Sequence, residues 1–156
     1  MKLNTKISVC ILVKNAQDTI KECLESLQSF DEIILLDNQS SDDTLKIAND
    51  FKSKFDNLRI YHSEFIGFGP LKNLAISYAS NDWIFSIDSD EVLEFSALKE
   101  LANLELNPNT IYAMPRKNLY KGEWIKACGW HPDFVLRLFN KNSTKFNSNF
   151  VHESLE

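Results

Sequence analysis

The chain has 156 residues, 44% of them hydrophobic, which is enough for one domain with a substantial core. Its net charge of −5 argues against a nucleic-acid-binding protein, which would usually carry a basic surplus. Its 3 cysteines form no Cys-x-x-Cys pair and no apolar run approaches the roughly 20 residues of a membrane span, so the composition predicts a cytoplasmic protein with free thiols.

Apolar stretches typical of buried strands alternate with amphipathic stretches typical of helices before residue 95. The predicted elements are, in order, a strand at Ile7–Val13, a helix with apolar positions Ile20, Cys23, Leu24 and Leu27, a strand at Glu32–Asp37, a helix capped by Ser40 or Ser41, a strand at Leu58–His62, a helix opened by Pro70 with apolar positions Leu71, Leu74, Ala75 and Tyr78, and a strand at 83–88. This order predicts an α/β fold with a mostly parallel sheet and right-handed crossovers. In the common doubly wound order 3-2-1-4, the first and fourth strands are neighbours.

The pattern changes after residue 94. Leu98, Leu101 and Leu104 predict the inward face of a helix at 95–104, and a strand is predicted at 110–116. The following segment is aromatic and irregular, and we expect Phe134 within it to lie in the core. No repeat or linker divides the chain, so one domain is predicted.

Polar residues follow the carboxyl ends of the predicted strands, where doubly wound sheets bind ligands. Asn15 follows the first strand, Asp37 ends the second, and Asp88 and Asp90 follow the fourth. With Glu91, the last two place three carboxylates in four positions, which repel each other unless a positive group lies among them. A hard divalent cation, Mg²⁺ or Mn²⁺, is the simplest such group. The alternative is a solvated loop that caps the next helix.

Several kinds of nucleotide site do not fit this crevice. The turn at 14–18 has no glycine, which excludes a dinucleotide-binding fingerprint, and the Walker signature is also missing. An Asp-x-Asp phosphatase normally carries its motif after the first strand of its fold, not the fourth. Lys72 lies early in the third helix, where a cation opposes the helix dipole, and it suits a site that holds an anion such as pyrophosphate. A solvent-facing lysine is the alternative.

Several of these segments resemble the nucleotide-sugar half of family 2 glycosyltransferases of the GT-A fold. They are Ile7 to Asn15, Asp37 to Thr44, Gly67-Phe68-Gly69 with Lys72-Asn73, and Asn81-Asp82-Trp83 through Asp88-Ser89-Asp90-Glu91. Later segments resemble the bacterial subgroup that adds sugars, typically glucose, to the inner core of lipopolysaccharide. They are Gly129-Trp130-His131-Pro132-Asp133, Arg137-Leu138-Phe139 and Val151-His152-Glu153.

The resemblance implies one GT-A domain of three α/β/α layers at 1–156, with a nucleotide-sugar-binding half at 1–94 and an acceptor-side half at 95–156. It implies metal-dependent, inverting transfer from a UDP-hexose to a glycan or lipopolysaccharide-core acceptor. A lipid-linked acceptor would bring the protein into peripheral contact with the inner face of the cytoplasmic membrane. Relatives continue well past the position of Glu156, so we expect a C-terminally truncated chain. The alternative is a nucleotide-binding fragment that needs further residues or a partner for catalysis.

The resemblance also assigns roles to individual residues. Asp90 would bind the metal and Asp88 the ribose or a metal-bound water, while Asp37 would contact the uracil or ribose. The other nucleotide-sugar contacts would come from Val13, Asn15, Lys72 and Ser89. The catalytic base would be Glu153 or His152, and His152 could instead be a third metal ligand, since a neutral imidazole serves either role. The alternative is that these two residues form a surface dipeptide. Asp133 is a further candidate carboxylate.

Overall fold

The computed structural model describes residues 2–116, 119–120, 123–124 and 133–146. Its helices and strands, in chain order, are β1 (Ile7–Val13), α1 (Ile20–Ser26), β2 (Glu32–Asp37), α2 (Thr44–Lys54), β3 (Leu58–His62), α3 (Phe68–Ser77), β4 (Trp83–Ser86), α4 (Phe95–Asn103), β5 (Tyr112–Arg116), β6 (Leu119–Tyr120), β7 (Glu123–Trp124) and β8 (Asp133–Asn140). The predicted bounds of β1, β2 and β3 are confirmed.

A six-stranded sheet has the order β3-β2-β1-β4-β8-β5, so the predicted order 3-2-1-4 is confirmed. Strands β1 to β4 are parallel to one another, and β8 runs antiparallel between β4 and β5. Val13 is in register with Asp37, and Asp37 is in register with His62. The carboxyl ends of β1, β2 and β3 therefore lie together at one edge of the sheet.

Helices cover both faces of the sheet, which explains why the central strands are nearly continuous apolar runs. Every residue of β2 is buried. Along β1, alternate residues face opposite layers: Val9 and Ile11 pack with Leu24 of α1, while Cys10 packs with Leu71 of α3. The predicted three-layer α/β/α architecture is thus confirmed, and Cys10 and Cys23 are both buried within it.

Two predicted helix starts are wrong. Helix α2 begins at Thr44, because the hydroxyl of Ser40 accepts the backbone N–H of Asn15 instead of capping the helix. Helix α3 begins at Phe68, so Pro70 is its third residue. Proline is tolerated there because the first N–H groups of a helix have no intrahelical partner. As the fifth residue, Lys72 lies beyond the first turn, which weakens the dipole argument for an anion site.

The later elements depart from the predictions in three further places. Strand β4 ends at Ser86, because the chain turns at Asp88 and leaves the ladder. Helix α4 ends at Asn103, and Leu104 is 41% exposed instead of inward-facing. Phe134 is 61% exposed and is not a core residue. None of the helices in the described ranges is long and apolar enough to cross a membrane.

Candidate nucleotide-sugar site

The candidate site lies where β1 and β4 adjoin, at the point where the chain switches from one side of the sheet to the other. A small cleft opens there beside α3. Its lining includes Cys10, Leu12, Lys72, Ser86, Asp88 and Phe146. Lys72 and Asp88, both predicted as site residues from separate parts of the sequence, therefore line the same cleft.

The end of β2 places a buried acid, Asp37, at the carboxyl ends of the strands, in register with Val13 but outside the residues that line the cleft. Asp37 is 2% exposed, and its Oδ2 accepts the N–H of Ser40 at 3.2 Å and lies 3.7 Å from Nδ1 of His62. Three buried side-chain oxygens among the described residues lack a hydrogen-bond partner: Oδ1 of Asp37, Oδ1 of Asn38 and Oδ1 of Asn57. Two of them are adjacent at this edge. An unsatisfied buried acceptor costs about 1–3 kcal/mol, so this pair is suited to a ligand that donates hydrogen bonds.

Asn15 clamps the loop after β1 to the loop after β2. Its Oδ1 accepts the N–H of Ser41 at 2.7 Å and that of Asp42 at 3.3 Å, and its own N–H donates to Oγ of Ser40 at 2.9 Å. Its φ of 50° is in the left-handed region, which asparagine tolerates better than most residues. A nucleotide contact through Oδ1 would compete with two backbone donors, so the structure gives Asn15 a shaping role in the site.

The acidic segment after β4 forms a turn. The N–H of Glu91 donates to the carbonyl of Asp88 at 3.1 Å, and Oε1 of Glu91 accepts the N–H of Asp88 at 2.8 Å. The side chains of Asp88 and Asp90 are exposed, and that of Ser89 is partly buried. Glu91 is thus used within the protein, while the two aspartates face solvent.

The carboxylates of Asp88 and Asp90 suit a divalent cation whose remaining ligands come from the substrate. No group of three or more His, Cys, Asp or Glu residues suited to a metal is found within the described ranges. Mg²⁺, however, usually binds through one or two carboxylates plus the phosphates of a nucleotide. Asp88 and Asp90 supply carboxylates of that number and type.

Arg137 of β8 lies in a segment that carries the family resemblance, but the sequence analysis assigned it no role in the site. Its side chain is 9% exposed, its Nη1 donates to the carbonyl of Ser86 at 3.2 Å, and its Nη2 pairs with Oε2 of Glu91. Burial raises the pKa of Glu91, and the charge of Arg137 opposes that shift. The signal was present in the sequence, because an arginine inside an apolar strand needs an anionic partner when it is buried.

Two other predicted site residues are Lys72, which lines the cleft, and Val13, the last residue of β1. Nζ of Lys72 sits 4.9 Å from the ring centroid of Phe146, a cation–π contact. Phe146 is fixed to α3, because Asn73 accepts its N–H at 2.9 Å and donates to its carbonyl at 2.7 Å. The side chain of Val13 is buried, and its carbonyl accepts the N–H of Asn38 at 2.8 Å.

The side chains of the predicted catalytic bases are not among those that the structure describes. Asp133 begins β8, and its side chain is not among those described. His152 and Glu153 lie outside the described residues. The roles of all three therefore stay predictions.

The two described cysteines are unsuited to nucleophilic chemistry. Burial, with the nearby carboxylates of Glu91, Asp90 and Asp88, raises the pKa of Cys23 to about 12. Burial also raises the pKa of Cys10 well above its usual range. Both are therefore protonated thiols near neutral pH, and Sγ of Cys23 donates a weak hydrogen bond to the carbonyl of Asp88 at 3.6 Å.

The strand order and the position of the site are those expected for the protein family that the sequence matches. The sequence profile of the family described as "Glycosyl transferase family 2" matches residues 8–152, so the chain belongs to that family. An uncharacterized glycosyltransferase of Rickettsia typhi is 29% identical over 90% of this chain and 48% of its own length. The poly(ribitol-phosphate) beta-glucosyltransferase of Bacillus spizizenii is 37% identical over 60% of this chain and 16% of its own length. The chain thus spans half or less of both relatives.

A solved structure supports the same fold. The crystal structure of residues 1–349 of TarS from S. aureus superposes on 92% of this chain and 51% of its own with a TM-score of 0.61, at 20% identity. Its complex with UDP-GlcNAc matches 62% of this chain and 30% of its own at 29% identity, with a TM-score of 0.54. The predicted GT-A-like fold is therefore confirmed.

Proposed function

We propose that this protein transfers a hexose, with inversion at the anomeric carbon, from UDP to a glycan of the cell envelope. The observation that carries the proposal is Oδ1 of Asp37, a buried carboxylate oxygen without a partner among the described residues. An acceptor at the end of the second strand suits the N3–H of uracil or a ribose hydroxyl. Membership of family 2 and the UDP-GlcNAc complex of TarS support a nucleotide-sugar donor.

Asp88 and Asp90 are the residues that would hold Mg²⁺ or Mn²⁺ when a nucleotide-sugar is bound. The bound cation supplies Lewis-acid stabilisation of the negative charge that develops on the departing UDP. Lys72 lines the cleft with Asp88 and provides a second positive charge for a phosphate oxygen. Ser89, Val13 and Asn15 complete the nucleotide side of the site, Asn15 by holding the loop that follows Asp37.

The transfer itself is a direct displacement. An acceptor hydroxyl loses its proton to Glu153 or His152, its oxygen bonds to the anomeric carbon, and the bond from that carbon to UDP breaks. Asp133 is the other candidate for the base. The acceptor is a glycan or lipid-linked glycan, with the lipopolysaccharide core as the first choice and a ribitol phosphate polymer as the second, given the name of the Bacillus relative. A lipid-linked acceptor places the protein in peripheral contact with a membrane.

A second candidate function is nucleotide binding without turnover. It is the alternative that the sequence left open, and the groups that support it, Asp37, Lys72 and Asp88, all belong to the nucleotide side of the proposed site. This alternative predicts UDP binding with no transfer to any acceptor, and transfer by a longer chain that contains these residues would exclude it for the whole protein.

Calorimetry with UDP, with Mn²⁺ or with EDTA, tests the proposal. We expect UDP to bind more tightly with Mn²⁺, and Asp90→Ala to lose the metal-dependent part alone. Asp37→Ala should weaken UDP binding about tenfold or more with or without metal, because a hydrogen bond to a charged group contributes about 1.5–3 kcal/mol. Asp56→Ala, at an exposed aspartate before β3, is the matched control and should bind as the wild type does. Absence of metal-dependent UDP binding by the wild type would contradict the proposal.

A further inference from the structure

The turn that carries Asp88 and Asp90 is not held by the sheet. The last ladder bond beside it is the N–H of Ile87 to the carbonyl of Cys10, at 3.3 Å. Beyond that point, the first backbone donor, the N–H of Asp88, is satisfied by the side chain of Glu91. The geometry of the turn therefore depends on where the Glu91 carboxylate is placed.

Arg137 places that carboxylate. Strand β8 runs antiparallel to β4, with Leu138 in register with Phe85, so Arg137 lies beside the point where β4 ends. Its guanidinium bonds the carbonyl of Ser86, the last residue of β4, and the Oε2 of Glu91. One buried side chain thus ties the end of the strand to the turn. The fork geometry of the guanidinium suits this use, because it directs several donors from one rigid plane.

The turn is also supported from the helical layer. Sγ of Cys23 contacts the carbonyl of Asp88, and Oγ of Ser26 accepts the N–H of Leu93 at 3.1 Å. These contacts are weak or neutral, whereas the Arg137–Glu91 pair is charged and largely buried. Charge-assisted hydrogen bonds are roughly twice as strong as neutral ones, so the pair is the dominant restraint.

The Arg137–Glu91 pair also affects the charge of the acidic segment at 88–91. Three carboxylates lie within four residues, and the single guanidinium neutralises only that of Glu91. Asp88 and Asp90 have no such partner in this pair, and both are exposed to solvent. The arrangement separates one carboxylate that shapes the turn from two that face a ligand.

We propose that Arg137 is a positioning residue for the cation site, acting through Glu91 to hold the turn in the conformation in which Asp88 and Asp90 bind one divalent cation. This inference rests on the proposed function. A preformed turn spares the ordering that metal binding would otherwise require. Loss of the pair should therefore weaken metal binding while the nucleoside contacts of Asp37, on a different strand, are unchanged.

The test measures Mn²⁺ affinity in the presence of saturating UDP by electron paramagnetic resonance, and UDP affinity in EDTA by calorimetry. We expect Arg137→Gln and Glu91→Gln each to weaken Mn²⁺ binding at least tenfold and to leave UDP affinity in EDTA within twofold of the wild type. The double variant should be no weaker than the worse single variant, because both substitutions remove one interaction. Arg137→Lys, which keeps the charge but not the fork, should recover part of the loss.

Arg59→Gln is the matched control, because Arg59 also pairs with a strand carboxylate, Glu32, at 3.7 Å, but at the opposite edge of the sheet. It should leave Mn²⁺ affinity unchanged. Should Arg137→Gln fail to fold, Glu91→Gln decides, since glutamine can still accept the N–H of Asp88. Unchanged or tighter Mn²⁺ binding by a folded variant that lacks the pair overturns the inference. Failure of the wild type to bind Mn²⁺ with UDP overturns the proposed function instead, so the two failures are distinguishable.

Discussion

Strand β2 begins and ends with a buried carboxylate, and the two are treated in opposite ways. Glu32, 5% exposed, accepts the hydroxyl of Ser8 at 2.7 Å and the N–H and hydroxyl of Ser80 at 2.8 and 3.1 Å. Asp37, 2% exposed, accepts one backbone N–H, and its Oδ1 is without a partner in the described part of the chain.

The difference distinguishes a structural acid, Glu32, from Asp37, the acid that we propose binds the nucleotide. Burial of a carboxylate is costly unless donors replace the lost water, and Glu32 has such donors within the fold. Asp37 has an open acceptor at the edge where α/β sheets bind ligands. The fold therefore keeps a destabilising feature at the edge where a nucleotide can supply the missing donor, which is the expected pattern for a functional site.

The two acids of β2 should differ most in their contribution to the free energy of unfolding. Glu32→Ala should lower the free energy of unfolding by about 3 kcal/mol, because it leaves the donors of Ser8 and Ser80 buried without an acceptor. Asp37→Ala should change it by less than about 1 kcal/mol, since the lost bond to Ser40 is offset by removal of an unsatisfied buried charge. Urea denaturation of both variants measures the two values.

Glu100→Ala provides the control for these two variants, because Glu100 is exposed on α4. Exposed substitutions of this kind usually change stability by no more than about 0.5 kcal/mol. Equal losses for Glu32→Ala and Asp37→Ala would show that Asp37 is as structural as Glu32, and the distinction between the two ends of β2 would fail.

Substitution of Asn15, near the carboxyl ends of β1 and β2, should have a smaller effect on stability. Asn15→Gly removes the oxygen that accepts the N–H groups of Ser41 and Asp42 but allows the positive φ, so it should lower the free energy of unfolding by about 1 kcal/mol. Asn15→Ala should cost about 1 kcal/mol more, because alanine disfavours that φ. Thermal and urea unfolding of the pair give both values. A glycine variant as stable as the wild type would mean that the clamp contributes nothing to folding.

The sequence predicted the sheet well, because a parallel strand buried on both faces is a continuous apolar run whose limits are visible in the chain. This is why the bounds of β1, β2 and β3 and the adjacency of β1 and β4 were confirmed. Errors arose where a distant residue decides the local structure. Ser40 does not cap α2 because its hydroxyl bonds the N–H of Asn15, 25 residues away.

The site, too, could be predicted only where no distant residue decides the local structure. Topology alone placed the ends of β1, β2 and β4 together, so the carboxylates of Asp37 and Asp88 could be assigned to one edge. The partner of Glu91 could not be assigned, because Arg137 lies 46 residues away on a strand whose antiparallel pairing the sequence did not indicate. A cation was predicted to offset the three carboxylates, and the fold supplies one of the compensating charges itself.

The smallest expected effect is a pH dependence within the loop after β2. The side-chain hydrogen bond from Thr44 holds the pKa of Asp42 below its usual 3.8. A carboxyl whose folded pKa is lowered stabilises the fold above the ordinary value, and this stabilisation is lost as pH falls through the folded pKa. The melting temperature of the wild type should therefore exceed that of Asp42→Asn by a small margin at neutral pH, and the margin should shrink below pH 3.8. In a Thr44→Val background, which lacks the donating hydroxyl, the pH dependence of that margin should be weaker. A margin that is constant across this range would show that the hydrogen bond from Thr44 to Asp42 does not stabilise the fold.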